Sequence, residues 1–326
     1  MGDLRFAIVG LGDFGMRYAR ALQRMFGVTV RWGCDLDEGR RGKAAAELEL
    51  RTTSRFEDLL EDADLDAVIV TTPEAAHRDV AVAALDAGKH TIVEKPMATR
   101  EEDARAMIAA SERSSGHLIP AMLLRFDYRY AQLRDRLTEI GQVHNIYAWR
   151  NFDQRLFSQY AREHSLIENA IHDIDLVLWY TGATVERAHG YCRNTLGLEN
   201  PDVNWGVMEL STGALAVVQT SWLYPEQGHR DLQWNAGIQV MGERGVLEAS
   251  NDAGGYRANI AGSGILLLDQ TAWADIHGEP RGAFGAMLRH FVAVLREEST
   301  YVGTTPEEAL EGMRAAQMMI ADAIPR

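Results

Sequence analysis

Two rhythms of apolar residues alternate over the first third of the chain. Short, nearly unbroken runs (FAIVG at 6–10, VTVRWGCD at 28–35, DAVIVTT at 66–72, HTIVEKP at 90–96) are rich in Val and Ile. Between them apolar positions recur at helical spacing, up to about Met25, over Glu38–Leu50 and from Ala75 onward. Alternation of this kind, with strands too apolar to have a wet face, predicts an α/β fold: a doubly wound parallel sheet covered by helices on both faces. After Leu118–Leu124 the pattern changes. ELSTGALAVVQTSWL and IQVMGERGVLEAS read as hairpins turning at STG and ERG, and YAWRNF, TVERAHGYCRN and GILLLD add further strands. The second half is therefore expected to be an α+β domain built on a large, mainly antiparallel open sheet.

Two stretches of this second half read as helices. TPEEALEGMRAAQMMIADA has a good N-terminal signal, and its Met residues suit core filling. SLIENAIHDIDLVLWY, at 165–180, places Glu168, His172, Asp175 and Trp179 on one face and Ile167, Ile171, Ile174 and Leu178 on the next. Pattern alone leaves two readings of those acids and that histidine, a solvated helix face or a site.

A chain of 326 residues exceeds what one core usually serves, so two domains are expected, 1–122 and 123–326, with the C-terminal helix packing back towards the first. The net charge of −14 comes from 33 Lys plus Arg against 47 Asp plus Glu without a basic tract, which argues against nucleic acid as a partner. No apolar run is long enough to span a membrane, and MGDLRFAIVG enters a strand-like segment at once, so a cytoplasmic protein is expected. Cys34 and Cys192 stand apart from one another and from any metal-ligand spacing; they read as structural thiols, and no metal is expected. An open sheet with one face left to cover implies a homodimer or homotetramer.

The chemistry begins at GLGDFG. Gly10, Gly12 and Gly15 follow a strand and open a helix, with Asp13 and Phe14 in its first turn. Gly10 permits the tight turn, Gly12 lets backbone approach a pyrophosphate, and Gly15 lets helix and strand pack closely. Asp35, twenty residues after Gly15, ends the second strand, where a carboxylate accepts ribose hydroxyls and repels a 2′-phosphate, favouring NAD over NADP. Arg40 and Arg41, just beyond, fit either a phosphate or a solvated helix start. Ligands in such sheets bind beyond the carboxyl ends of the strands, which brings in Thr71, Thr72, Pro73 and His77 after the DAVIV strand, and Glu94, Lys95 and Pro96 after HTIV. His77 reads equally as a cap or surface residue. Arg125 in LLRF and Arg150 in AWRN suit either a substrate carboxylate or phosphate or an ion pair, and Trp149 and Trp179 either a sugar ring or the core.

With GLGDFG, Asp35, TTPEAAH, GKHTIVEKPMA, LLRF and IENAIHDIDL in this order, the chain resembles the glucose-fructose oxidoreductase / inositol dehydrogenase / MocA (Gfo/Idh/MocA) family along essentially its whole length, nearest to the inositol dehydrogenase-like branch. The resemblance implies a Rossmann domain binding NAD and a dehydrogenase of the CH–OH type acting on a sugar or polyol. It places Lys95, His172 and Glu168 at the catalytic centre, with His172 as acid/base, Lys95 polarising the oxygen, and Lys95, Arg125, Arg150, Glu168 and His172 contacting substrate. The family commonly has D-x-G-x-H where this chain has Glu168-Asn169-Ala170-Ile171-His172, which moves the carboxylate about one methylene further out. The same scaffold also serves a non-catalytic NAD- and sugar-binding sensor, or an NAD-assisted glycosidase.

Overall fold

Six strands form a parallel sheet in the order β3-β2-β1-β4-β5-β6: β1 (Leu4–Val9), β2 (Val28–Cys34), β3 (Arg51–Thr53), β4 (Ala67–Val70), β5 (His90–Val93) and β6 (Leu118–Pro120). The apolar runs explain the order's centre. Phe6, Ala7, Ile8 and all four residues of β4 are fully buried, as strands covered on both faces must be. Strand order reverses between β1 and β4, so the carboxyl ends of these two strands frame a crevice at Gly10 and Thr71. Helices at Asp13–Gln23, Glu38–Leu48 and His77–Asp86 follow the expected runs, and a fourth stands at Glu101–Arg113. The second helix stops earlier than expected, at Leu48, because Glu49 turns left-handed (φ 56°). Leu50 is then free to enter the core, and β3 forms a half-exposed edge too short for an apolar pattern to announce.

This is a computed structural model describing residues 3–156, 162–224, 234–251, 257–260, 264–267, 275–277 and 279–325. The chain divides into two compact units. The first comprises Met1–Met122, Asp275–Arg281 and Gly285–Leu310; the second comprises Leu123–Ala274, Gly282–Phe284 and Glu311–Arg326. No helix among the described residues is long and apolar enough to cross a membrane.

The second unit is built on a seven-stranded sheet ordered β12-β11-β7-β10-β9-β8-β13, from β7 (Val143–Asp153), β8 (Val185–Arg193), β9 (Val203–Leu210), β10 (Leu215–Tyr224), β11 (Trp234–Gly242), β12 (Gly245–Ser250) and β13 (Ile324–Pro325). Its hairpins turn where STG and ERG stand, and its pairings are antiparallel except β7 with β10 and β8 with β13. GILLLD contributes only Gly264–Leu267, paired with Arg257–Ile260; its last residues lie outside the described ones.

Alternation sorts the sheet's faces. Ile146, Ala148, Arg150, Met208, Ala216 and Val218 point inward and are buried. Residues of opposite parity, including Trp205, Leu215, Leu223 and Met241, lie exposed on the other face. Helix Pro306–Asp322 starts with the expected cap, Thr305 and Glu308 each accepting the other's backbone N–H. Met319, at its far end, is fully buried over two glycines: a Cβ at Gly206 would lie 1.8 Å from its sulfur, which is why NWGVM carries a glycine in a strand.

The stretch 165–180 is a correction. It is not one helix but a turn at Ser165–Glu168 and a helix at Ile171–Thr181, joined at Asn169–Ala170, where Asn169 and Ala170 both donate to the Ser165 carbonyl. The longer helix has no solvated polar face: His172, Asp173 and Asp175 are as buried as Ile174 and Leu176.

Candidate active site

In the first unit the glycine turn is held from three sides. Gly10, at φ +98°, has the Thr71 carbonyl oxygen 2.5 Å from where a Cβ would stand. Its own carbonyl accepts the Thr71 hydroxyl at 2.6 Å, and its N–H reaches the Cys34 carbonyl at 2.8 Å. A Cβ on Gly15 would meet the Gly10 oxygen at 1.8 Å, so helix and turn touch backbone to backbone. Gly12 differs: nothing lies within 4 Å of its Cβ position, and it caps the Asp13–Gln23 helix with no side-chain bond. That open backbone at a helix N-terminus, flanked by Asp13 and Phe14, has the geometry that could hold a pyrophosphate.

Asp35 stands where the spacing puts it, just past β2. Its Oδ2 accepts the Leu11 N–H at 2.7 Å and its Oδ1 the Asp37 N–H at 2.9 Å, which fixes the carboxylate beside the turn with lone pairs to spare for ribose hydroxyls. The neighbouring arginines separate in role. Arg41 donates to the Asp35 and Leu36 carbonyls, while Arg40 is exposed at 3.5 Å from the Asp35 carboxylate. Thr72, at the end of β4 beside Pro73, has a buried hydroxyl with no hydrogen-bond partner among the described residues, the condition of a group that awaits a ligand. These residues fit NAD: Gly12 and the helix start for the pyrophosphate, Asp35 for a ribose, and the Thr71–Pro73 and Glu94–Lys95 strand ends along the same edge.

His77 is buried between the two strand ends, with Nδ1 3.1 Å from the Pro96 carbonyl and Nε2 3.0 Å from the Thr72 carbonyl. It braces one strand-end loop against the other, and burial pushes its pKa down. Glu94 is likewise engaged: its carboxylate accepts the Tyr18 hydroxyl and the Lys95 N–H, each at 2.9 Å. Tyr18 escapes a reading of the sequence because a tyrosine on the apolar side of a helix gives no sign of what its hydroxyl meets.

In the second unit Glu168 ends the short turn and His172 opens the next helix, both buried. His164 caps the turn, its Nδ1 accepting the Leu166 N–H at 3.2 Å and its Nε2 3.7 Å from the Cys192 sulfur. Burial pushes its pKa down to about 4, so it stays neutral as a cap. Cys34 and Cys192 are free, buried thiols, each pushed up to about 11 by burial, which suits structure rather than reactivity.

Two bidentate ion pairs set the rotation of the Ile171–Thr181 helix. Arg150 from β7 donates to Asp173 at 2.9 and 2.8 Å, and Arg125 to Asp175 at 3.0 and 2.8 Å. All four side chains are buried. Burial works against the charge on Arg150, but Asp173 and Tyr130 outweigh it and its pKa is raised; burial also pushes the Asp173 carboxyl up, with Arg150 pulling it down. The paired short contacts favour the ionised pair. Asp173, which pattern alone does not single out, is thus a fixing point of the segment. The two arginines, which the sequence leaves as either substrate groups or ion-pair members, stand in these pairs. Trp149 is on the sheet's other face, over Gly237 and stacked with Tyr147 at 5.4 Å, and Trp179 packs against Arg125 and Arg134, so neither supports a sugar-stacking role.

Residues 4–121 match the family model described as an oxidoreductase family with an NAD-binding Rossmann fold, and residues 130–248 match the GFO/IDH/MocA C-terminal domain. An inositol 2-dehydrogenase of Salmonella paratyphi B is 30% identical over 255 residues, spanning 75% of this chain and 73% of its own. A scyllo-inositol 2-dehydrogenase (NAD(+)) of Bacillus subtilis is 29% identical over 260 residues, 75% of this chain and 73% of that protein. Among solved structures, scyllo-inositol dehydrogenase from Lactobacillus casei, with bound NAD(H) and scyllo-inositol, superposes with a TM-score of 0.81 at 19% identity, covering 98% of this chain and 97% of that one.

Proposed function

This chain belongs to the Gfo/Idh/MocA family of NAD-binding oxidoreductases, and from that premise we propose that it interconverts a secondary alcohol and a ketone on a cyclic polyol, sugar or sugar derivative. The observation that carries the reading is His172 on a buried helix clamped at Asp173 and Asp175, in a chain whose other unit holds Lys95 at the edge of a dinucleotide cradle. The inositols named for the relatives supply the substrate class.

When bound, NAD would supply the hydride acceptor for the carbinol carbon. His172 takes the hydroxyl proton as the C–H bond breaks, and later releases it to water; imidazole suits the task because it ordinarily titrates near neutrality. Lys95 holds the oxygen and supports its developing negative charge. Glu168 orients the imidazole or binds an adjacent hydroxyl. With Arg125 and Arg150 each neutralised by an aspartate, a neutral polyol is favoured over an anionic sugar. A panel of inositols and sugars with NAD, read by NADH absorbance in both directions, tests this. Turnover on a neutral polyol is expected; NAD binding without NADH from any member would leave the sensor reading instead, and glycoside cleavage without net NADH the glycosidase reading.

We extend the reading to assembly: a second copy covers the exposed face of the seven-stranded sheet. Tyr147, Trp149 and Trp205 stack there beside Leu215, Leu223 and Met241, a patch of the kind that marks an interface. Sedimentation equilibrium is expected to give a dimer or tetramer, and Trp205→Glu to shift it towards single chains; a single-chain mass for the wild type would overturn the extension.

A further inference from the structure

The Tyr18–Glu94 contact has no part in proton or hydride transfer as described, yet it joins the two elements of the first unit that the reaction needs held together. Tyr18 lies three residues past Gly15 on the helix whose start forms the pyrophosphate cradle, and it is fully buried. Its hydroxyl donates to Glu94 Oε1 at 2.9 Å; the other oxygen, Oε2, accepts the Lys95 backbone N–H at 2.9 Å. Glu94 itself still belongs to the sheet, since its N–H reaches the Val70 carbonyl at 3.0 Å. Lys95 is the first residue beyond that ladder, and its N–H is held by the Glu94 carboxylate.

The far end of this connection is rigid. The Asp13–Gln23 helix cannot slide, because Gly15 and Gly10 meet backbone to backbone and Thr71 ties the turn to β4. A phenol on such a helix is a fixed point, and a carboxylate held through both oxygens keeps one rotamer. Burial, and then the Glu94 charge, push the Tyr18 pKa well up, so the phenol remains a donor throughout the working range.

We propose that Tyr18 is a positioning residue which, through the Glu94 carboxylate, fixes the backbone of Lys95 relative to the helix that cradles the dinucleotide. The proposal rests on the reading of Lys95 as the group that holds the substrate oxygen. Its consequence is a division of effects. Losing the phenol hydroxyl leaves the cradle intact but loosens the loop, so NAD binding survives while the reacting oxygen is held less well.

The test is Tyr18→Phe, Glu94→Gln and the double variant, each in the full-length protein with NAD. For Tyr18→Phe, kcat is expected to fall roughly 10- to 100-fold, the range a small misplacement near the chemistry costs, with the NAD dissociation constant near the wild-type value. Hydrogen exchange at the Lys95 amide should speed up by about tenfold, reporting the loosened N–H directly. The double variant should be no slower than the slower single one, because both act through one contact. An unchanged kcat in an active enzyme, unchanged exchange at Lys95, or losses that multiply in the double variant would each overturn the assignment. A wild type inactive on every polyol would instead sink the dehydrogenase reading, and the exchange measurement would then decide the role of Tyr18 by itself.

Discussion

Replacing His172 with Asn is expected to lower kcat by a factor on the order of 10²–10⁴, the usual contribution of a positioned acid/base group, while NAD binds as before. Asn is smaller than His and keeps a polar head, so it suits a buried first-turn position without introducing a charge. The cradle of Gly10, Gly12, Gly15 and Asp35 lies in the other unit and is untouched, which makes NAD affinity an internal control. Oxidation requires a neutral imidazole to take the proton, so the variant should stay slow across the whole working pH range. Stopped-flow single-turnover rates over pH 6–9 make the measurement. A variant of near-normal rate at every pH would remove His172 from the role of base.

Asp173→Ala is expected to carry the largest cost in stability, about 3–5 kcal/mol, because it strands the Arg150 guanidinium in the interior without its counter-ion. Both side chains are almost wholly enclosed, so water cannot replace the lost carboxylate. For a unit of this size the loss corresponds to a melting temperature lower by roughly 10 °C. A control separates charge from packing: in the pair Asp173→Leu with Arg150→Met, apolar groups replace both ions, and most of the lost stability should return. Calorimetry of the two variants beside the wild type checks this. An alanine variant that melts with the wild type would show that the pair does not hold the segment. Activity should follow stability only in part, since His172 adjoins Asp173 and its aim depends on the same clamp.

Much of the first unit is legible in the order of its residues. Val- and Ile-rich runs cannot face water, the helical runs between them must cover them, and glycine spacing in GLGDFG states where backbone has to meet backbone. Asp35 follows from distance along the chain, since strand and helix lengths in such a unit are nearly fixed. The hairpins at STG and ERG are legible for a similar local reason. What sequence does not convey is which partner a polar side chain finds. Read along the chain, 165–180 is one helix whose polar face is either solvated or a site; folded, it is broken at Asn169–Ala170 and buried, and Asp173 and Asp175 turn inward to arginines.

Most elements and their order, the glycine turn and the candidate groups therefore follow from the chain alone, through periodicity, glycine sterics and short spacings; β3 and the break at Asn169–Ala170 do not. Only the tertiary structure decided what those groups touch. Arg150 meets an aspartate 23 residues away, Arg125 one 50 residues away, and Tyr18 a glutamate 76 residues away. His77 closes on carbonyls of a loop that follows the next strand. A buried polar atom must find a partner or bear the cost of desolvation, but several partners satisfy that demand equally well, and the packing of distant elements selects among them.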